Sequence, residues 1–149
     1  MAALHTIRHA DELTARDALP GTYALVFHCT AAEFPVGRLG TLRLAPGWYV
    51  YVGSAFGPGG VRGRLLHHLR PSPRPHWHVD YLKQFAELEE VWFVCSRRVW
   101  EHRWAHFFSA ARGARLPMAG FGSSDCKCAA HLVGFRRRPA MDGLRRLCR

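Results

Sequence analysis

Successive positions along "GTYALVFHC" (Gly21 to Cys29) divide into a wholly apolar side and a mixed one. Tyr23, Leu25, Phe27 and Cys29 fall on one side and Thr22, Ala24, Val26 and His28 on the other. That is the two-residue period of a β-strand. "VGRLGTLRL" (Val36 to Leu44) is a second strand candidate. A Pro46-Gly47 turn leads into a third, "WYVYVG", with Tyr49, Tyr51 and Gly53 on one side and Trp48, Val50 and Val52 on the other. The links are too short for crossovers, so the pattern predicts an antiparallel meander. After the "GPGG" loop (Gly57 to Gly60), Val61, Leu65, Leu66 and Leu69 mark one face of a helix that the proline run Pro71 to Pro75 ends. "HWHVDYLKQF" starts a second helix and "EEVWFVC" (Glu89 to Cys95) reads as a fourth strand. "VWEHRWAHFFSAARGA" carries Trp100, Trp104, Phe107, Phe108 and Ala111 at helical core spacing. Residues 1–19 read as a polar extension with a short helix over Asp11 to Ala18, "GFGSSDCKCAAHLVGF" as turn-rich, and residues 136–149 as a basic tail. Strands first and helices later predict an α/β (α+β) sandwich around a small antiparallel sheet, with one domain over residues 20–135.

Composition adds a partner class. The chain has 149 residues, 48% of them hydrophobic, and a formal net charge of +10. One core is affordable in that length, and the excess charge favours a polyanion, most simply DNA, with RNA open. A basic surface without any nucleic-acid role is the plainer alternative. No apolar run approaches the roughly 18 residues that span a bilayer, and no amphipathic helix with cationic flanks points to a membrane surface. The N-terminus lacks a signal-peptide core, so a cytoplasmic protein with reduced cysteines is expected. Five cysteines at irregular spacing make no disulfide framework.

The candidate chemistry lies in five residues. Tyr23 and Tyr51 stand on neighbouring strands, where tyrosine is also ordinary core packing. Arg64 and His68 are four apart on one helix face, the first matched to phosphate and the second able to move a proton. Arg62 and His67 belong to the same cationic helix, equally readable as a solvated face. Glu101 borders the apolar stripe of its helix. A carboxylate so placed calls for a partner, either a salt bridge to Arg64 or Arg103, or a hard divalent cation.

"GTY" at Gly21 to Tyr23, followed some thirty residues later by "YVG" at Tyr51 to Gly53, resembles the GIY-YIG nuclease pattern, and Arg64, His68 and Glu101 occupy that pattern's later places in order. The chain is more closely similar to the DUF123 family (Uri-type) in "PGWYVYVGSAFGPGG", "RGRLLHHLR", "HWHVDYL" and "GFGSSDCKCAAHL". The resemblance implies a central three-stranded antiparallel sheet flanked by helices. It also implies metal-dependent hydrolysis of DNA phosphodiesters with Mg²⁺ or Mn²⁺. Carried over, Tyr23 orients or deprotonates the attacking water, Tyr51 supports it, Arg64 holds the phosphate, His68 contacts phosphate or relays a proton, and Glu101 holds the metal. The sequence departs from the pattern in Thr22 for isoleucine, in a longer Pro71 to Glu90 segment, and in lacking a downstream asparagine, for which Ser123 or Ser124 are the candidates.

Two segments stand apart. In "HWHVDYL", His76, His78 and Asp80 offer phosphate or metal contacts, or a cap with surface histidines. In "DCKCAAH", Asp125, Cys126, Cys128 and His131 fall within seven residues. Zinc takes thiolate and imidazole, but Cys95 or His78 would have to complete the set; buried structural thiols, or a Cys126–His131 nucleophile, are the other readings. Arg136 to Arg138, Arg145, Arg146 and Arg149 add phosphate contacts or a solubilising tail. The expected nucleic-acid contacts are Arg62, Arg64, His67, His68, His76 and His78. The functional expectation is a metal-dependent endonuclease, against a non-catalytic nucleic-acid-binding module on the same scaffold or a zinc-stabilised binding protein.

Overall fold

A computed structural model describes residues 2–123 and 126–148. Its centre is a five-stranded antiparallel sheet in the order β1-β6-β2-β5-β7, from β1 (Leu4–Ile7), β2 (Gly21–Cys29), β5 (Gly47–Ala55), β6 (Glu87–Cys95) and β7 (Leu132–Phe135). β2 pairs with β5 from Gly21↔Ala55 to Cys29↔Gly47, and on its other edge with β6. Four helices flank the sheet: α1 (Gly60–Leu69), α2 (His78–Leu82), α3 (Glu101–Ser109) and α4 (Gly143–Leu147). This is the α+β class expected from the sequence, with the sheet covered on both faces.

The alternation of β2 and β5 decides the layers. Tyr23, Leu25, Phe27, Tyr49 and Tyr51 join Val61 and Leu65 of α1 and Val79 and Leu82 of α2 in one core. Ala24, Val26, Val50 and Val52 join Trp104 and Phe108 of α3 in the other. Arg70, in extended backbone before Pro71, closes α1, because proline disfavours a helical residue ahead of it.

Four local expectations change. The helix over Asp11 to Ala18 is replaced by two short 3₁₀ turns, Ala10–Glu12 and Ala15–Asp17. Glu12 accepts the His9 amide and Asp17 the Thr14 amide, both reaching back three residues, so each turn is capped where it starts. Leu13 between them is extended and buried. Ahead of them, β1 extends the sheet as an edge strand, with Leu4↔Val94 through Ile7↔Val91. Val36 to Leu44 is not a strand of the central sheet. Pro35, Gly37 and Gly40 break it, the Val36 amide donates to the Gly40 carbonyl at 2.8 Å, and β3 (Ala32–Pro35) pairs with β4 (Thr41–Leu44) as a separate hairpin. The basic tail carries α4, whose Leu144 is buried together with Met141 and Cys148 against the α3 face. No helix among the described residues is long and apolar enough to cross a membrane.

Candidate active site

Tyr23 on β2 faces Gly53 on β5 across the ladder. A methyl group on Gly53 would strike the Tyr23 ring and hydroxyl, so the glycine of "YVG" leaves the space in which that phenol lies. The Tyr23 hydroxyl sits 2.8 Å from His68 Nε2. Tyr23 is 1% and His68 2% exposed. Burial drives the Tyr23 phenol well above its usual range; the nearby Arg64 guanidinium pulls it back only partly, while Glu101 and Asp80 push it further up. Burial, then the charges of Lys83 and His67, lower His68 to about 3. At neutral pH the pair is therefore a protonated phenol and a neutral imidazole, and the O–H donates to Nε2. The proton of such an imidazole is then on Nδ1, a buried atom with no hydrogen-bond partner among the described residues.

Tyr51 is raised by burial, by Tyr23 and by Glu101. Its ring packs edge-on to Phe121 at 6.0 Å, and a side chain on Gly122 would meet its ring at 2.7 Å. Gly122, at φ 71°, thus closes the "GFGSS" loop over Tyr51.

Glu101 opens α3. Its Oε2 accepts the Ser54 hydroxyl at 3.0 Å, and its Oε1 lies 3.1 Å from His131 Nδ1, off the line of a hydrogen bond. Burial pushes the carboxyl up, but His131, Ser54 and His102 together more than offset it and hold it below its usual range. The salt bridge to Arg64 or Arg103 does not form. Arg103 stands over Trp100 at 5.1 Å. Arg64 lies over the Trp77 ring at 4.4 Å, with no carboxylate partner among the described residues.

The remaining candidates separate. Asp80 is buried and caps α2: Oδ2 accepts the amides of His76 and Trp77 at 2.8 and 2.9 Å, and Oδ1 meets His67 Nε2 at 3.0 Å. That is the capping alternative, with His76 on the surface. His67 is engaged with Asp80, and His78 Nδ1 accepts the Gly122 amide at 2.8 Å, while Arg62 is exposed. His68 offers no surface to a phosphate because it is buried against Tyr23, and His78 is engaged inside the fold. Cys126 and Cys128 lie beside His131, with Cys126 Sγ 3.3 Å from Nε2. Burial and the neighbouring Cys126 raise the Cys128 thiol to about 11. Neither Cys95 nor His78 completes this group; His102 does, its Nδ1 3.2 Å from Cys128 Sγ. Ser123 is buried, its hydroxyl without a partner among the described residues, while Ser124, Asp125 and Arg149 lie outside the described residues. In the tail, Arg138 pairs with Glu90 at 2.8 Å and stands over Trp48, and Arg145 stands over Trp92.

Sequence reasoning missed Ser54, Trp77, Lys83 and His102. Lys83 Nζ donates to the carbonyls of His67 and Arg70 and to Ser72, fastening the end of α1. Only the helical period beside Glu101 hinted at His102, since its thiol partners are 24 and 26 positions away.

Sheet, helices and site define an α+β domain with a buried phenol–imidazole pair and a carboxylate at one end of its central strands. The chain belongs to the family described as "Domain of unknown function DUF123", which matches residues 22–148. No curated protein and no solved structure matches the chain.

Proposed function

We propose that the protein is a metal-dependent endonuclease of the GIY-YIG type, acting on nucleic-acid phosphodiesters. The observation that carries this reading is the convergence of Tyr23, His68, Arg64 and Glu101. The first two are hydrogen-bonded, and the charges of the other two act on the Tyr23 phenol with opposite sign. A phenol raised this far does not form a phenolate unaided. Tyr23 therefore orients a water: its O–H is given to His68 Nε2, and its oxygen lone pairs remain to accept a hydrogen bond from the nucleophile. Neutral His68 fixes that orientation and is the nearest acceptor for a relayed proton. Arg64, a planar fork with no carboxylate to hold it, binds the phosphate and offsets the charge that grows on it.

Glu101 suits a hard cation. It is ionised at neutral pH, it is held by a neutral hydroxyl and a histidine rather than by a guanidinium, and the Ser54 hydroxyl adds a second oxygen beside its own. Mg²⁺ or Mn²⁺ held there supplies Lewis-acid polarisation of a phosphoryl oxygen.

Near-complete burial of Tyr23 and His68 favours a second reading, a nucleic-acid-binding module on the same scaffold. A panel of labelled DNA and RNA structures with Mg²⁺, Mn²⁺ or chelator separates the two. Metal-dependent nicking is expected, falling at least about 100-fold in Glu101→Ala and Tyr23→Phe while binding is retained. Cleavage that survives both substitutions overturns the mechanism. Binding without cleavage across the panel establishes the module.

A further inference from the structure

We infer that His102, Cys126, Cys128 and His131 form a zinc site, and that its ligand His131 positions Glu101. One donor atom from each of the four lies within 4.8 Å of the others. His102 Nδ1 is 3.2 Å from Cys128 Sγ, and Cys126 Sγ is 3.3 Å from His131 Nε2. A tetrahedral ion with its nitrogens at about 2.0 Å and its sulfurs at about 2.3 Å sets sulfur–nitrogen edges of about 3.5 Å. Two of those edges, His102–Cys128 and Cys126–His131, already stand near that length, and the remaining donor pairs lie within 4.8 Å. Two thiols and two imidazoles form a soft set that suits zinc and not magnesium.

The ligands come from three separate places in the chain. His102 is in the first turn of α3, the cysteines lie in the turn-rich loop, and His131 immediately precedes β7. Phe121 anchors that loop on Tyr51, and a four-fold cross-link further holds it to the helix that carries Glu101. His131 is 2% exposed, with Nε2 toward the sulfurs and Nδ1 toward Glu101 Oε1. A metal-bound histidine characteristically turns its second nitrogen to a carboxylate, which sets its tautomer and orientation. Zinc on Nε2 places the proton on Nδ1, 3.1 Å from Glu101 Oε1, and ligation would turn the ring to bring this pair, now off the line of a hydrogen bond, into line. The metal centre stands independently of the endonuclease reading; only the consequence of positioning Glu101 rests on it.

The test uses the full chain, reduced and zinc-supplemented, with no nucleic acid present. Elemental analysis after dialysis should give about one equivalent of zinc, falling below about a quarter in Cys126→Ser, Cys128→Ser and His102→Gln. Cobalt in place of zinc should show the intense visible absorption of a tetrahedral thiolate site. Because a cysteine variant can fail to fold, the wild-type protein supplies a second measurement: zinc should protect Cys126 and Cys128 from alkylation while a chelator exposes them. Glu101→Gln should keep its zinc and shift the His131 Nδ1–H nitrogen resonance. Less than about half an equivalent in the wild type, or full zinc retention by His102→Gln, overturns the four-ligand site. An unmoved His131 resonance in Glu101→Gln overturns the positioning role.

Discussion

At the residue scale, His68 is the most consequential side chain of the site. Its folded-state value near 3 lies below the ordinary value of 6.5. A group so depressed stabilises the fold fully above its unfolded value, and the contribution is lost as pH falls from about 6.5 toward 3. His68→Gln keeps a hydrogen-bond partner for Tyr23 but does not titrate. The stability advantage of the wild type over this variant should therefore be largest at pH 7 and shrink as the buffer is acidified, as read by urea unfolding at successive pH values. A gap that stays constant down to pH 4 would mean that the imidazole is hydrated and not buried neutral.

At the element scale, the cap on α2 ties the "HWHVDYL" segment to α1. Asp80 holds two backbone amides and the His67 ring. Burial raises its carboxyl, but these partners outweigh burial and keep it below 3.8. Its contribution is thus present above about pH 4 and lost below it. Asp80→Asn should cost about 1–3 kcal/mol at neutral pH, the loss expected for a helix cap and buried hydrogen bonds, and should flatten the acid limb of the stability curve. Calorimetric melting points of the two proteins at pH 7 and pH 3 check both statements. The same element carries Trp77, on which Arg64 is stacked, so its loss should also loosen the guanidinium.

At the scale of the whole molecule, the net charge of +10 is unevenly available. Arg138 is engaged by Glu90, and Arg98 and Arg103 lie over Trp100. Arg62 and Arg74 are exposed, on α1 and in the loop after it. On the nucleic-acid reading, the affinity for a DNA duplex should fall linearly with the logarithm of salt concentration. Arg62→Ala and Arg74→Ala should each reduce that slope by about 1, and Arg138→Ala should leave it unchanged. Fluorescence anisotropy over a salt series reads all three, and equal slopes in every variant would place the nucleic acid on another face.

Strand period and helical period were sufficient for β2, β5, β6, α1 and α3, because the apolar runs of the strands, buried on both faces, and the apolar stripes of the helices are both local signals. They also put Tyr23, Tyr51, Arg64, His68 and Glu101 in chain order on those elements. What they could not supply was any pairing between distant positions. β1 and β7 are four residues each and complete the sheet only because β6 and β5 offer free edges. β3 and β4 leave the central sheet because glycine and proline turn the chain back locally. The meeting of His102 with Cys128, of His131 with Glu101 and of His78 with the Gly122 amide joins elements far apart in the chain. Such contacts leave no periodic trace in the sequence; the packing of helices and loops on the finished sheet decides them.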